Sequence, residues 1–90
     1  MIPDFDGFKD VVARALEGTM AYEKSGPILQ LLHDKGREFN FANDGGVDSL
    51  DMLEIIFSTR KLLGVGVIPS FDGETVGELY DLFCKETAAA

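Results

Sequence analysis

Apolar residues recur at helical spacing in four segments of this chain, and no other feature constrains its fold as strongly. The first segment shows the pattern at Phe5, Phe8, Val12 and Leu16. One further run, residues 64–69, resembles a strand in composition, but the sequence holds no second run that could pair with it. We therefore predict an all-α fold, a small helical bundle with three main helices and short helices in the connections.

Local signals predict where the first two helices begin and end. Asp4 or Asp6 can cap the first helix, and Gly18 can end it. Because proline suits the first position of a helix, we expect a short second helix from Pro27 to Lys35, with Gly36 as its C-terminal stop. The long connection that follows the first helix is therefore predicted to be partly helical.

The next two helices have clearer N-terminal signals. Asp48 can cap one of them, with the acidic Asp51 in its first turn, and Gly64 can end it. Thr75 and Glu78 form the pattern of a capping box, in which each side chain accepts a hydrogen bond from the other residue's backbone N–H. We therefore predict one helix between Asp48 and Gly64 and another that starts after Thr75.

The helix between Asp48 and Gly64 carries apolar residues on more than one face, which predicts a central position in the bundle. Its apolar positions are Leu50, Leu53, Ile56, Phe57 and Leu63. Phe39 and Phe41 precede this helix in a turn-rich segment, and we expect them to anchor that segment to the core. Residues 88–90 have little to pack against and should fray.

Length and charge restrict the function. Ninety residues form one domain, residues 1–90, with a modest core and little room for a deep catalytic cleft, so an enzyme is not favoured. Sixteen acidic and eight basic residues give a net charge of −8, which repels nucleic acid and anionic membranes and attracts basic patches of other proteins. The sequence shows no signal peptide and no apolar run long enough to span a bilayer, so we expect a cytoplasmic monomer.

Several kinds of reactive site are not supported by the sequence. His33 is the only histidine and Cys84 the only cysteine, so neither a histidine cluster for zinc nor an internal disulfide can form. We interpret His33 as a surface residue and Cys84 as a small buried apolar residue. No acidic segment matches a calcium-binding loop, and no serine lies in a nucleophile elbow. The sequence therefore predicts no metal site and no catalytic residue.

Ser49 lies at the predicted start of a helix, between Asp48 and Leu50. Serine near a helix start most often acts as a cap. Asp48 already fits that role, which leaves the Ser49 hydroxyl free. A phosphodiester on this hydroxyl would lie close to the positive end of the helix dipole and to unpaired N–H groups. The local chemistry therefore permits Ser49 to carry a phosphate-linked group.

From Phe39 to Phe83 the sequence resembles the acyl carrier protein family. The matching residues stand at family spacing around one serine: Phe41, Asp44, Gly46, Asp48, Ser49, Leu50, Asp51, Leu53 and Glu54. Ile68-Pro69 and Thr75-Val76-Gly77 extend the resemblance along the chain. The resemblance implies a freestanding, acyl-carrier-like helical bundle. It also implies that Ser49 receives 4′-phosphopantetheine from coenzyme A through a magnesium-dependent phosphopantetheinyl transferase.

The resemblance further implies what the chain carries and which proteins it meets. The thiol of the arm would hold acyl groups as thioesters for acyl-transferring, condensing or ligating enzymes of a fatty acid, polyketide or related pathway. Basic docking patches on these enzymes would contact acids of the helix that Ser49 starts. The expected partner contacts are Asp48, Leu50, Asp51, Met52, Glu54 and Phe57. Part of the acyl chain is expected in an interior lined by Leu53 and Ile56, although Thr59 is polar where the family is often apolar.

The chain departs from the family pattern at four places. The connection before Phe41 is long, and Gly45 replaces a usual leucine. Arg60-Lys61 stands where the family's helix usually stays acidic, and residues 69–75 are so few that we expect the family's third helix as a turn. We therefore expect partners to contact the acids near Ser49 rather than the whole helix.

Two alternatives to an acyl carrier stay open on the sequence. A peptidyl or aminoacyl carrier protein shares the arm and the fold. A helical protein-interaction module that is never modified shares the fold alone. The first alternative differs from an acyl carrier in its cargo, whereas the second would leave Ser49 unmodified.

Overall fold

Four α-helices make up most of the part of the chain that the structure describes. The computed structural model describes residues 3–19, 22–66, 71 and 73–88. The helices are α1 (Phe5–Thr19), α2 (Tyr22–Lys35), α3 (Ser49–Leu63) and α4 (Val76–Ala88), with a 3₁₀ turn at Gly36–Glu38. In these ranges the single β-type pairing is an antiparallel bridge between Asn40 and Thr75. The predicted all-α bundle is confirmed. None of the described helices has the length and apolar character needed to cross a membrane.

The first helix begins at the predicted cap and ends one residue later than predicted. Of the two candidate caps, Asp4 has this role: its Oδ1 accepts a hydrogen bond of 2.9 Å from the backbone N–H of Gly7. The helix continues through Gly18 to Thr19. Gly18 is not among the glycines with positive φ, so it lacks the left-handed conformation with which a glycine ends a helix.

The second helix is longer than predicted. It starts at Tyr22, and Pro27 is its sixth residue rather than its first. A proline removes one backbone hydrogen bond from a helix interior. At the sixth position this loss is real, because only the first four N–H groups of a helix lack intrahelical partners. The predicted stop is confirmed, because Gly36 has a φ of +56° and starts the 3₁₀ turn.

The predicted boundaries of α3 and α4 are confirmed by their caps. The Asp48 carboxylate accepts a hydrogen bond of 2.8 Å from the backbone N–H of Asp51 at the start of α3. Gly64 follows α3 in the left-handed conformation, with a φ of +70°. In the capping box of α4, Thr75 Oγ1 accepts from the N–H of Glu78 at 3.2 Å, and Glu78 Oε1 accepts from the N–H of Thr75 at 3.1 Å.

All four helices contribute to one hydrophobic core. The buried residues are Phe8, Val12, Ala15, Leu16, Leu32, Phe39, Phe41, Val47, Ile55, Val76, Leu79 and Phe83. The ring centroids of Phe8 and Phe83 lie 5.2 Å apart, which packs α1 directly against α4. Phe39 and Phe41 are buried and meet edge to face at 5.9 Å. The prediction that these two residues anchor the segment before α3 is therefore confirmed.

The prediction of a central α3 is wrong, because α1 is the helix that contacts each of the other three. On α3, Ile55 and Thr59 are buried, whereas Leu50 is 71% exposed, Leu53 65% and Phe57 54%. Apolar periodicity shows which residues avoid water but not which of them another helix covers. In this bundle α3 packs one face against α1 and presents a second apolar face to the solvent.

Some predictions fall on residues outside the described ranges. The Ile68-Pro69 match and residues 67–69 of the strand-like run belong to this group. Phe71 and Gly73 are not helical, but Asp72 between them is not described, so the predicted turn stays a prediction. Ala88 is the last residue of α4, and residues 89–90 of the predicted frayed tail lie beyond the described part.

Candidate functional site

Ser49 is the first residue of α3, and its side chain is exposed. Its hydroxyl has no hydrogen-bond partner among the described residues. The Asp48 side chain is engaged with the N–H of Asp51, and the first backbone bond of the helix runs from Met52 N to Asp48 O at 2.9 Å. The N–H groups of Ser49 and Leu50 therefore remain available to water or to a bound anion.

Backbone hydrogen bonds hold the segment before Ser49 in place. Val47 N donates to Phe41 O at 2.9 Å, and Phe41 N donates to Glu74 O at 2.9 Å, next to the start of α4. The Val47 side chain is buried, with 7% of its surface exposed. The position of Ser49 is thus fixed by the core and by the segment that leads into α4, and not by α3 alone.

Gly45 and Gly46 have different roles in the segment before Ser49. A Cβ at Gly45 would lie 2.8 Å from the carbonyl oxygen of Phe41 and 3.1 Å from the ring of Phe39. Gly45 is therefore a packing residue that no side chain could replace without movement of the backbone. Gly46 alone is exposed beside the serine, and its φ of +64° favours glycine.

Lys35, at the end of α2, binds the segment before Ser49. Its Nζ lies 2.8 Å from Asp44 Oδ1, and the second oxygen of Asp44 accepts from the N–H of Asn40 at 2.9 Å. These two hydrogen bonds, that of Lys35 first, hold the pKa of Asp44 below its usual value. The sequence matches Asp44 to the family but gives no sign of Lys35, because the pair joins two elements whose approach is set by the fold.

A small hollow adjoins the serine. It measures about 160 Å³ and is lined by Phe41, Ala42, Val47, Asp48, Ser49, Met52, Gly73 and Glu74. Since one water-sized group occupies about 30 Å³, the hollow has room for about five such groups. Its floor is apolar, with the partly buried Met52 packed against the core. The hollow can therefore shelter a short apolar segment next to the Ser49 hydroxyl.

One residue of the predicted acyl-binding interior does not lie in the interior. Ile56 packs against the core, but Leu53 is 65% exposed, so the prediction that Leu53 lines the interior is wrong. Thr59 is fully buried, and its hydroxyl donates to the carbonyl of Ile55 at 2.7 Å within the same helix. The polar group of Thr59 is satisfied by its own helix and faces the core rather than a ligand.

The predicted partner contacts extend from the cap of α3 past its middle and differ in exposure. Asp48, Leu50 and Glu54 are exposed, as is Phe57, whereas Asp51 and Met52 are half-buried. The exposed Leu53 was not among the predicted contacts. Its position between Leu50 and Phe57 at helical spacing is the sequence signal that could have placed it there.

The basic residues near the end of α3 contact Phe57. The guanidinium carbon of Arg60 lies 5.7 Å from the centre of the Phe57 ring, and Lys61 Nζ lies 5.5 Å from it. Arg60 Nε also donates to the carbonyl of Gly66 at 2.9 Å. Arg60 therefore holds the chain that leaves α3, and it is not simply part of a solvated face.

The remaining candidate residues lie apart from Ser49. His33 is exposed, as predicted, whereas Cys84 is half-buried rather than buried. A hydrogen bond with Cys84 raises the pKa of the Tyr80 hydroxyl. In the described ranges, no three His, Cys, Asp or Glu side chains converge in a way that could hold a metal ion.

Comparisons with known proteins do not assign the chain to a family. No family model, no curated protein and no solved structure matches it.

Proposed function

We propose that this chain is an acyl carrier protein and that Ser49 is the attachment site of 4′-phosphopantetheine. The observation that carries the proposal is the Ser49 hydroxyl itself, which is exposed and unpartnered among the described residues at the first position of α3. Asp48, the preceding residue, already fulfils the capping role that a serine at a helix start would otherwise have.

The surroundings of Ser49 suit the attached group. The phosphodiester would lie beside the N–H groups of Ser49 and Leu50 at the positive end of α3. During attachment, Ser49 Oγ attacks the β-phosphorus of coenzyme A, 3′,5′-adenosine diphosphate leaves, and a base of the transferase takes the hydroxyl proton. The magnesium ion in this step belongs to the transferase. The carrier contributes an accessible hydroxyl on a rigid helix end.

The attached arm would allow this small chain to deliver an acyl group to partner enzymes. Its thiol carries an acyl group as a thioester, and the tether raises the effective concentration of that group at each partner's active site. The hollow beside Ser49, with its apolar Phe41, Val47 and Met52, has room for a short part of the cargo. The acyl-transferring, condensing or ligating partners would meet the acids at the start of α3.

Mass spectrometry tests the proposal directly. The apo protein is incubated with coenzyme A, Mg²⁺ and a broad-specificity phosphopantetheinyl transferase, and its intact mass is measured. We expect the mass to rise by one phosphopantetheine, and we expect Ser49→Ala to remove the rise. Ser58→Ala is the matched control, because Ser58 lies on the same helix and should not affect the modification. An unchanged mass, under conditions that modify a known carrier, would refute the proposal.

A second candidate function is a helical interaction module that is never modified. The exposed apolar side chains of Leu50, Leu53 and Phe57 favour it, because such a surface binds proteins whether or not an arm is attached. The same mass measurement separates the two functions. A peptidyl or aminoacyl carrier would give the same mass rise. The group attached to the arm in the host would distinguish such a carrier from an acyl carrier.

A further inference from the structure

The exposed face of α3 carries an apolar row between charges of opposite sign. The row consists of Leu50, Leu53 and Phe57, which are 71%, 65% and 54% exposed. Three acids lie at its Ser49 end: Asp48, Asp51 and Glu54. Two cations, Arg60 and Lys61, lie at its far end and contact the Phe57 ring. An exposed apolar surface with a charged border is typical of a protein-binding surface.

A groove between α1 and α3 extends this surface at its basic end. The groove measures about 480 Å³, and its lining includes the apolar side chains of Ala15, Phe57 and Leu62. Arg14 of α1 and Lys61 of α3 supply its two cations, and Glu54 supplies its single carboxylate. Neither cation has a carboxylate partner among the described residues, although the chain has twice as many acidic as basic residues. Unpaired cations beside apolar surface complement an acidic partner and not a basic one.

We propose that this surface docks a helical segment of a partner enzyme whose charges are arranged in the opposite order. Apolar side chains of the segment pack on the row and enter the groove. Basic side chains of the segment face Asp48 and Asp51, and its carboxylates face Arg14 and Lys61. The inference rests on the proposed function in one respect, since it takes the partner to be an enzyme that the carrier serves.

The order of acidic and basic residues along α3 determines the direction in which the partner's helical segment runs along this face. Asp51 and Lys61 are ten residues apart, which corresponds to about 15 Å along a helix. That distance exceeds the screening length of about 8 Å at physiological ionic strength, so the two ends act as separate charges. A reversed partner would place like charges opposite each other at both ends. This arrangement extends the predicted docking surface beyond the acids near Ser49 to the whole exposed face of α3.

Two synthetic peptides of identical composition test the proposal. Both are amphipathic helices with a leucine and phenylalanine stripe and no net charge. The first has lysines at one end and glutamates at the other, and the second has the same charges in alternation. A nitroxide label is attached to the glutamate end of the first peptide, and both are titrated into the ¹⁵N-labelled apo protein. We expect the first to bind about tenfold more tightly. Its label should broaden the amide signals of residues 57–62 more than those of residues 48–51.

Charge variants supply the control. Lys61→Glu should remove the preference between the peptides, whereas Lys85→Glu, the same charge change on an exposed residue of α4, should leave it intact. Phe57→Ala should weaken both peptides equally. Arg60 is not changed, because it also holds the Gly66 carbonyl.

Three results would overturn the docking proposal. The first is equal affinity of the protein for the two peptides. The second is an equal loss of the preference between the peptides in Lys61→Glu and in Lys85→Glu. The third is a dimer of the peptide-free protein that Phe57→Ala dissociates. The last result would show that a second copy covers the face. Since the titration uses the unmodified protein, its outcome is separate from the mass measurement on Ser49. A failed modification refutes the carrier, and a failed titration refutes only the docking surface.

Discussion

At the scale of single residues, Gly77 explains how α4 fits against the turn that follows α2. A Cβ at Gly77 would lie 2.9 Å from the Cβ of Arg37 and 3.0 Å from its carbonyl oxygen. The Arg37 side chain reaches over the rings of Phe5 and Tyr80 and pairs with Asp81 at 2.9 Å. The glycine therefore permits a close contact between two helical elements that are far apart in sequence.

We predict opposite effects for alanine at two helical glycines. Gly77→Ala should lower the free energy of unfolding by about 1–3 kcal/mol, because the added methyl group meets backbone as well as side-chain atoms of Arg37. Gly18→Ala should raise it by up to about 1 kcal/mol, since a Cβ there has no neighbour within 4 Å and alanine favours the helix. Urea unfolding measures both changes. Destabilisation of similar size in both variants would contradict this interpretation of Gly77.

At the scale of helices, the capping box of α4 links helix formation to pH. Glu78 Oε1 accepts hydrogen bonds from the backbone N–H of Glu74 at 3.0 Å, from that of Thr75 at 3.1 Å and from the Thr75 hydroxyl at 3.2 Å. These bonds, that of Glu74 first, hold the pKa of Glu78 below its usual value. The folded state therefore favours the ionised carboxylate more than the unfolded state does.

The stabilisation from this lowered pKa has a defined pH range. It is fully present above the pKa of the unfolded glutamate, about 4.3, and is lost as the pH falls through the lower pKa of the folded state. Glu78→Gln keeps an acceptor for the N–H groups but removes the titration. We predict that the urea midpoint of this variant declines less between pH 6 and pH 3 than that of the wild type. Glu17→Gln, on the exposed side of α1, is the control, and an equal effect there would contradict the prediction.

The same helices show what a sequence can predict. Asp48 and Thr75 identify the starts of α3 and α4 correctly, because a capping interaction involves residues only three positions apart. Pro27 misleads about the start of α2, because the helix accepts the proline in its second turn rather than at its first position. Ser49 is predicted as an exposed helix-start residue because that property follows from the neighbouring cap. The exposed face of α3 and the Lys35 contact depend on how elements approach each other, which local patterns do not contain.

At the scale of the whole molecule, acidic residues outnumber basic ones by sixteen to eight. The ion pairs among the described residues join Lys9 to Asp6, Lys35 to Asp44 and Arg37 to Asp81, and each has at least one solvent-exposed member. Exposed pairs of this kind contribute about 0–1 kcal/mol each. Repulsion among the remaining acids is therefore the main electrostatic term that acts on the folded state.

We predict that sodium chloride stabilises the protein. Raising its concentration from 10 mM to 200 mM shortens the screening length and weakens the repulsion among the acids more than it weakens three exposed ion pairs. The thermal midpoint should rise by about 4 °C, which corresponds to about 1 kcal/mol for a domain of this size. Differential scanning calorimetry at the two concentrations measures the change. A lower midpoint at high salt would show that the ion pairs dominate instead.

The contact between α1 and α4 restricts when the core can close during translation. Phe8 packs against Phe83, and the Tyr80 hydroxyl donates to the carbonyl of Pro3 at 3.3 Å, so residues from opposite ends of the described chain close the core together. A ribosome delivers α1 first and α4 last, and α3 rests on α1. The proposed modification of Ser49 on a folded α3 would therefore follow the translation of α4.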